Sequence, residues 1–235
     1  MKKLIIIPAY NEGACIEGTV RDIIQHAPDC DYVIINDCST DNTREICEKN
    51  QFNTVNLPVN LGIGGAVQTG YKYALEHGYD LALQVDGDGQ HNPRFLREME
   101  ACLMSHGADL VIGSRFIKKE GFQSSRLRRI GIVYFTWLIK LCTGKTITDP
   151  TSGFRMVGKR GIKLFAQCYP KDYPEPESIV MALNRNCKIE EIPVIMRERQ
   201  GGVSSITIVK SVHYMIKVTF AILKETLRGG KHKSS

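Results

Sequence analysis

Residues 81–93 read LALQVDGDGQHNP, and the prediction of the fold starts from this stretch. An apolar run at 81–85 is followed at once by two acidic residues, Asp86 and Asp88, which a single glycine separates. A short apolar run bounded by turn residues is typical of a buried strand. Pro93 suits the first position of a helix, where its missing N–H breaks no hydrogen bond. The stretch therefore predicts a strand, a polar loop and a helix in succession.

The same succession extends outward through the first half of the chain. Apolar runs predict further strands at 4–8, 32–35, 54–57 and 110–112. Helices are predicted within 13–26, up to about residue 50, over 62–77 and from residue 92. Strands that alternate with helices form βαβ units, so we expect an α/β fold with a mostly parallel, Rossmann-like sheet flanked by helices.

Four of these strands are followed by polar clusters, at 8–12, 36–41, 86–90 and 113–115. Parallel sheets bind their ligands at the carboxyl ends of the strands. The four clusters are therefore expected to converge on one edge of the sheet and to form an active-site cleft.

The second half of the chain has a less regular pattern. Residues 127–141 are apolar with basic residues at the start, and 152–157 and 189–196 resemble strands. A long amphipathic helix is predicted over 206–228, where Lys210, Lys217 and Lys224 recur every seven residues on one stripe. Residues 229–235 have the composition of a disordered basic tail.

Composition excludes several classes of protein. The 235 residues are 43% hydrophobic and 24% charged, as in an ordinary globular domain. The apolar run near the N-terminus ends after residue 7, too soon for a signal peptide, and no run is long enough for a spanning helix. Eight scattered cysteines without a CxxC pair indicate buried thiols in a reducing compartment. A cytoplasmic location is expected.

The net charge of +6 is concentrated in residues 115–129 and 197–235. Such basic blocks are found in proteins that bind nucleic acid or an anionic membrane surface, and on ordinary solvated faces. Aromatic residues are not interleaved with the basic ones, which argues against nucleic acid as a partner.

The acidic pair in the Asp-Gly-Asp loop is the most informative chemical feature. Asp86 and Asp88, with Gln90 as a third oxygen ligand, suit Mg²⁺ or Mn²⁺, and such an ion neutralises a diphosphate. Gly87 lets the backbone come close to a ligand. An acidic surface turn is the alternative, but the position after a buried strand favours the metal site.

Two further motifs belong to the same predicted edge. Asp37 follows the second strand directly and is placed to accept hydrogen bonds from a ribose or a nucleobase. It could instead cap the next helix, although Ser39, Thr40 and Asp41 are better placed for that. The glycines at 62, 64 and 65 suit either a phosphate cradle or a tight turn that lets a helix approach a ligand.

Six segments together resemble family 2 glycosyltransferases of the GT-A fold, and among them the dolichol- and polyprenyl-phosphate sugar synthases. They read IIIPAYNE (5–12), IINDCSTDNT (34–43), NLGIGGAVQTG (60–70), QVDGDGQHNP (84–93), GSRF (113–116) and DPTSGFR (149–155). The resemblance covers about residues 1–205. It implies a metal-dependent, inverting transfer of a sugar from a nucleoside diphosphate sugar, with a nucleotide-sugar-binding half at 1–116 and an acceptor half at 117–205.

The resemblance also implies roles for individual residues. The nucleoside would be bound by Pro8, Tyr10, Glu12, Ile35 and Asp37. The ribose, diphosphate and metal would be held by Asp86, Gly87, Asp88 and Gln90. Phosphates of the donor or acceptor would be met by Arg115, Arg129, Arg197 and Arg199. A lysine that such enzymes usually carry after the late Gly-x-Ser is missing at Ser205.

The identity of the acceptor depends on residues 172–177, which read DYPEPE and differ from the synthases. A polyprenyl phosphate acceptor needs cations and no base, which suits Arg115 and Arg129. A hydroxyl of a saccharide or lipid-linked saccharide, in cell-surface polysaccharide synthesis, needs a base such as Glu175 or Glu177. These acids could also be exposed in a loop fixed by prolines. The phosphate is favoured, because the basic apolar helices also fit it.

Basic, apolar segments at 127–141 and 206–227 further predict a peripheral protein on the inner face of the membrane. Arg126, Arg128, Lys210, Lys217 and Lys224 would border their apolar faces. The partner is expected to be an anionic membrane surface or a small membrane-anchoring protein.

Overall fold

A computed structural model describes residues 1–121, 126–172, 174–198 and 208–232. Seven strands form one sheet in the order β3-β2-β1-β4-β6-β5-β7. Their bounds are β1 Lys3–Ala9, β2 Asp31–Asn36, β3 Thr54–Asn56, β4 Leu81–Gln84, β5 Leu110–Ser114, β6 Arg155–Gly158 and β7 Ile189–Pro193. Strand β6 is antiparallel to both β4 and β5, and the other pairings are parallel.

Eight α-helices and a 3-10 turn at Pro93–Phe95 complete the described part of the chain. The helices are α1 Ile16–His26, α2 Thr43–Lys49, α3 Gly62–Glu76, α4 Leu96–His106, α5 Arg126–Thr143, α6 Lys159–Gln167, α7 Pro174–Asn184 and α8 Ile208–His232. None of these helices combines the length and the apolar character that a membrane crossing requires, as far as the chain is described.

The sheet lies between two helical layers because its strands are apolar on both faces. In β1, Leu4 and Ile6 belong to an apolar cluster that includes residues of α3, α5, α6, α7 and α8, whereas Ile5 and Ile7 belong to a second cluster with residues of α1, α2 and α4. Alternate side chains of a strand point to opposite faces, so one run of apolar residues serves both cores. The expected α/β class with a mostly parallel sheet is confirmed.

The predicted elements of the first half all exist, with ends that shift by a few residues. In the second half, α6 and α7 were not predicted, and the strands expected at 152–157 and 189–196 are shorter. Helix α8 continues to His232, so residues 229–232 are helical and not an irregular tail, and 233–235 lie outside the described residues. The cysteines were expected to be buried, but Cys168 is exposed and four others are only partly buried.

The glycines that open α3 serve a close approach between backbones. The N–H of Gly64 donates to the carbonyl of Lys171, and a Cβ on Gly64 would lie 2.0 Å from the carbonyl oxygen of Pro170. Gly62 has a φ of +76°, in the left-handed region. Of the two interpretations of this motif, the packing one therefore accounts for Gly64.

We predict that Gly64→Ala destabilises the fold, because the clash involves backbone that cannot move aside cheaply. The cost should exceed the ~1 kcal/mol that alanine gains over glycine in a helix. Gly131→Ala is the matched control, since its Cβ would meet only the sulfur of Met215 at 3.9 Å. Thermal unfolding should give a lower Tm for Gly64→Ala and an unchanged or higher Tm for Gly131→Ala; equal Tm values would contradict the packing account.

Candidate active site at the carboxyl edge of the sheet

A cleft of about 340 Å³ lies where β1, β2 and β4 end and α3 begins. It is lined by Pro8, Ala9, Tyr10, Glu12, Asp37, Asn60, Gly62, Ile63, Ala66, Asp86, Gly87 and Asp88. Seven of the residues predicted to bind the donor are in this set. The structure thus brings together three of the four polar clusters expected at this edge and the start of α3, whereas the fourth cluster, 113–115, does not line the cleft.

Asp37 is buried at the end of β2 and has a structural partner as well as a place in the cleft. Its Oδ1 accepts a hydrogen bond of 2.7 Å from the backbone N–H of Leu61, and its carbonyl accepts one from Asn60. Asp37 therefore also fixes the loop before α3. The start of α2 is served by Asp41, whose Oδ1 accepts from the N–H of Thr43 at 3.0 Å, so Asp37 is not needed as its cap.

Ile35 was predicted to contact the nucleoside, but its side chain is fully buried in the core. It packs in the same apolar cluster as Ile6, Val33 and Ala66 and does not line the cleft. Its side chain lies on the same face of β2 as that of Val33, and strand alternation directs both to the α3 layer, where an apolar side chain contributes packing. A contact of the Ile35 side chain with the donor is not supported.

Asp86 is held on both its backbone and its side chain. Its Oδ1 accepts a hydrogen bond of 2.9 Å from Nε2 of Gln84, and its N–H donates to Nδ1 of His91 at 3.0 Å. His91 is buried and stacks on Phe154, with ring centroids 4.9 Å apart. The Asp86 side chain nevertheless remains about one third exposed (35%) toward the cleft.

The donor atoms of this loop fit a hard divalent cation. Asp86 and Asp88 both line the cleft, and carboxylate oxygens are the ligands that Mg²⁺ and Mn²⁺ prefer. No group of three or more His, Cys, Asp or Glu side chains suited to a metal occurs among the described residues. An ion here would therefore take further ligands from phosphate oxygens or water, as Mg²⁺ commonly does.

Gln90 is linked to the late segment of the chain. Its Nε2 donates to the carbonyl of Arg197 at 3.3 Å, and its own carbonyl accepts from the N–H of Arg197 at 2.9 Å. Its predicted role as a metal ligand stays a prediction. The two bonds join the Asp-Gly-Asp loop to residues that precede Arg199, which itself lies outside the described part of the chain.

The predicted phosphate-binding arginines have different surroundings. Arg115 forms a bidentate ion pair with Asp149, at 2.7 and 2.8 Å, and also donates to Thr151 at 3.0 Å. Asp149 is fully buried, so this pair anchors the start of the SGF segment, and only Nη1 of Arg115 takes part in none of these bonds. Arg129 is exposed on α5.

Arg197 does not line the cleft. Its guanidinium pairs with Asp22 of α1 at 2.7 Å and donates to Asn92 at 3.1 Å. Its charge is compensated by a carboxylate of another element, and its predicted contact with a phosphate stays a prediction.

Glu175 and Glu177 do not lie in a loop, contrary to the prediction; they are in the first turn of α7. Pro174 occupies the first helical position, and acids in the first turn interact favourably with the helix dipole. The DYPEPE residues therefore start a helix. The loop interpretation overlooked that a proline followed by acids is also typical of a helix N-terminus.

The two acids have separate environments, because residues two apart on a helix point to different sides. Glu175 is sensitive to the charges of Arg155, Asp86 and Arg115, and burial raises the pKa of its carboxyl. Glu177 lines a second cavity, of about 230 Å³, beside Lys217 of α8, and burial raises its pKa as well. Only Glu175 is electrostatically close to the Asp-Gly-Asp loop.

Three buried polar residues of the site were not predicted from the sequence: Gln84, His91 and Arg155. Gln84 is a polar residue inside an otherwise apolar strand, LALQV, and this was the signal that could have revealed it. His91 and Arg155 lie next to recognised motifs, but the sequence does not disclose which partners they contact.

Comparison with known proteins supports the interpretation of this cleft as a glycosyltransferase site. A Rossmann-like sheet with an Asp-Gly-Asp loop beside a nucleotide-sized cleft defines the class of GT-A glycosyltransferases. The chain belongs to glycosyl transferase family 2, whose family model matches residues 4–165. The resemblance deduced from the motifs is confirmed.

Two relatives and one solved structure illustrate the similarity. The chain is 31% identical over 210 residues to the UDP-N-acetylglucosamine–dolichyl-phosphate N-acetylglucosaminyltransferase of Methanococcus voltae, covering 81% of this chain and 83% of the relative. It is 30% identical over 221 residues to the undecaprenyl-phosphate mannosyltransferase of Micrococcus luteus, covering 88% of each. Glucosyl-3-phosphoglycerate synthase of Mycobacterium tuberculosis, in complex with Mn²⁺, UDP and phosphoglyceric acid, matches with a TM-score of 0.75 at 16% identity over 96% of this chain and 78% of that one.

We predict that Asp88→Asn lowers turnover by about a hundredfold or more while the fold stays intact, because one charged oxygen ligand is lost where leaving-group charge develops. Turnover should also disappear in EDTA and return with excess Mn²⁺ or Mg²⁺. Steady-state rates, with Tm as a check on folding, measure this. Near-normal rates in the variant, or full activity in EDTA, would contradict the metal assignment.

Proposed function

We propose that the protein transfers a sugar from a nucleoside diphosphate sugar to a polyprenyl phosphate at a membrane surface, with inversion at the anomeric carbon. The observation that carries this proposal is the pair of cleft carboxylates, Asp86 and Asp88, beside a nucleoside-sized pocket in a family 2 chain. The printed names of the two relatives, both lipid-phosphate sugar transferases, support the choice of acceptor.

The donor is proposed to lie with its nucleoside against Pro8, Tyr10 and Asp37 and its diphosphate near Asp86 and Asp88. A bound Mg²⁺ or Mn²⁺, held by the two carboxylates, would supply positive charge to the leaving diphosphate. Asp37 orients the nucleoside by accepting hydrogen bonds, and Ile63 and Ala66 supply apolar surface in the lining of the cleft.

In the reaction the acceptor phosphate oxygen forms a bond to the anomeric carbon from the face opposite the leaving group. The bond between that carbon and the donor's β-phosphate oxygen breaks, and the nucleoside diphosphate leaves with the electron pair. The transition state has oxocarbenium character, and the negative charge grows on the leaving group. A phosphate nucleophile is ionised at neutral pH, so no proton has to be removed.

Placement of the acids supports the phosphate acceptor. Glu177 lines the cavity beside α8 and not the donor cleft, so it is poorly placed as a base. The second candidate function, transfer to a saccharide hydroxyl, is favoured only by Glu175, because burial, with a smaller contribution from the charge of Asp86, raises the pKa of its carboxyl and thereby suits it to exchange a proton.

An exposed apolar surface formed by α5 and α8 supports a location at the membrane. On α5 the exposed apolar side chains are spaced by three or four residues and share one face: Ile130, Val133, Trp137 and Leu141, each more than half exposed (57–68%). On α8 the corresponding stripe consists of Ile216, Phe220, Leu223 and Leu227.

The two stripes lie side by side. Tyr134 of α5 and Thr219 of α8 are hydrogen-bonded at 3.0 Å, and each is positioned on its helix between the buried face and the exposed stripe. The seam between the helices is therefore flanked by apolar side chains on both sides, and we call this combined face the α5–α8 surface. Apolar faces of this extent are unusual on proteins that remain in water.

Basic residues border the α5–α8 surface. Arg129 and Lys140 lie on the outer side of α5, and Lys217 and Lys224 on the outer side of α8, all exposed. The side chains of Arg126, Arg128 and Lys210 lie outside the described residues. An apolar face with basic edges suits an anionic bilayer on the inner side of the membrane, where each basic residue contributes about 1 kcal/mol. A small membrane-anchoring protein is the alternative occupant.

The acceptor is tested by substitution of the competing groups. Glu175→Gln and Glu177→Gln should keep most of the transfer to undecaprenyl phosphate, since a phosphate needs no base. Arg129→Ala should lower the rate of transfer to undecaprenyl phosphate by about a hundredfold, which is the effect expected when one charge-stabilising donor is removed. Arg44→Ala, an exposed arginine of α2, is the control. If the transfer rate of either glutamine variant falls by about a hundredfold while donor binding stays intact, the acceptor is a hydroxyl.

Membrane binding is tested by flotation with vesicles of phosphatidylglycerol and phosphatidylcholine. The wild type should float at low salt and less at high salt, and Trp137→Glu combined with Phe220→Glu should remain at the bottom of the gradient. Ile24→Glu, which alters a similarly exposed residue on α1 (48%), should float like the wild type. A wild type that never floats would favour the anchoring protein as the partner.

A further inference from the structure

We propose that Gln84 and Arg155 are positioning residues that orient the carboxylate of Asp86 from beneath the cleft. Neither side chain reaches the cleft itself, since both are almost completely buried (1% and 0% exposed). The inference rests on the proposed function for the role of Asp86 in binding the donor and its cation.

Gln84 makes the direct contact. Its Nε2 donates to Oδ1 of Asp86 at 2.9 Å, which restrains rotation of the carboxylate about the Cβ–Cγ bond. The other oxygen, Oδ2, lies on the side of Gly153, where a Cβ would come within 3.1 Å of it. The same Cβ would come within 2.9 Å of Nε2 of Gln84, so the hydrogen-bonded amide and carboxylate both lie against a residue that must be small.

Arg155 fixes the turn on which this arrangement depends. It is the antiparallel cross-strand partner of Gln84, so the two side chains share one face of the sheet. Its guanidinium donates to the carbonyls of Ser152 at 2.6 Å and Pro150 at 3.1 Å, and to Oγ of Ser178 at 2.8 Å. One buried cation therefore ties the residues just before Gly153 to helix α7.

The opposite face of the sheet completes the support. Phe154 stacks on His91, whose Nδ1 accepts the backbone N–H of Asp86. Gly153 thus lies against the carboxylate of Asp86, Phe154 stacks on the histidine that accepts its N–H, and Arg155 holds the turn that precedes both. Precise orientation of a charged ligand group is the usual reason for such surrounding contacts.

The loss of stability caused by a buried oxygen of Gln84, which is unpaired within the described part of the chain, indicates that this residue has a functional role. Oε1 of Gln84 is buried with no hydrogen-bond partner within the described structure, and so are the hydroxyls of Tyr71 and Tyr169 in the same layer. A buried polar atom without a partner destabilises a fold, so an apolar residue at position 84 should be at least as stable. A polar residue retained at such a place is expected where activity requires it.

The test compares Gln84→Leu with Gln68→Leu. Gln68 is a half-buried glutamine on α3 whose Nε2 donates to the carbonyl of Ala166 at 3.3 Å, away from Asp86. Affinity for UDP, GDP, dTDP, CDP and ADP is measured by calorimetry over a series of Mn²⁺ concentrations, with Tm recorded for every variant. Whichever nucleotide the wild type binds is then used throughout.

Gln84→Leu should keep or raise the Tm, weaken nucleotide affinity by about tenfold and shift the half-saturating Mn²⁺ concentration upward, as expected for one lost hydrogen bond to a charged group. In an Asp86→Asn background the same substitution should add little, because both act through one carboxylate. Gln68→Leu should bind like the wild type.

Arg155→Lys should also weaken nucleotide affinity and raise the half-saturating Mn²⁺ concentration. Arg160→Lys, which alters an exposed residue of α6, should change neither. If Arg155→Lys fails to fold, Gln84→Leu decides alone. Wild-type affinity and Mn²⁺ dependence in a folded Gln84→Leu overturn the inference. A wild type that binds none of the five nucleotides overturns the proposed function instead, so the two failures are distinguishable.

Discussion

The antiparallel placement of β6 between β4 and β5 is the constraint on which the cleft depends. Because β6 runs against its neighbours, its first residues lie at the edge where the parallel strands end. The turn before β6 thereby contacts the loops that follow β5 and β4. Asp149 forms an ion pair with Arg115 after β5, and Gly153 lies against Asp86 after β4. A parallel strand in this position would have its carboxyl end at this edge. It could not place residues 152–154, which precede β6, beneath Asp86.

The charges around the cleft are arranged to favour a cationic ligand. Asp86 and Asp88 face it, while the partly buried Arg115 is paired with Asp149 and the buried Arg155 donates to backbone carbonyls. Two carboxylates side by side repel an anionic diphosphate unless a cation lies between them. For this reason the proposed donor site includes a divalent ion, and the proposed contacts with an acceptor phosphate are assigned to arginines outside the buried core.

Much of the fold could be predicted because each motif in the first half carried its own physical signal. The apolar run at 81–85 and the acids after it located β4 and the cleft edge. Local signals failed where partners are distant in sequence: Arg115 could not be assigned to Asp149, nor Arg197 to Asp22, because those pairings depend on how the strands are ordered. Ile35 was assigned by analogy to the cleft, and strand alternation places it in the core instead.

The second half was harder to predict for a different reason. Prolines in DYPEPE suggested a loop, although proline is compatible with the first turn of a helix, and α7 begins there. The apolar character of residues 127–141 did indicate a helix with an unpartnered face. Which residues of α5 remain exposed only became clear from its packing against α8, with Trp137 outward and Phe135 inward.

The central claim, transfer of the sugar to a lipid phosphate, is tested most directly by ³¹P NMR of undecaprenyl phosphate incubated with the protein, Mn²⁺ and UDP- or GDP-sugars. The account predicts that the phosphomonoester signal is replaced by a phosphodiester signal whose phosphorus couples to the anomeric proton. A monoester signal that persists while nucleoside diphosphate is released and a saccharide hydroxyl is glycosylated would contradict it.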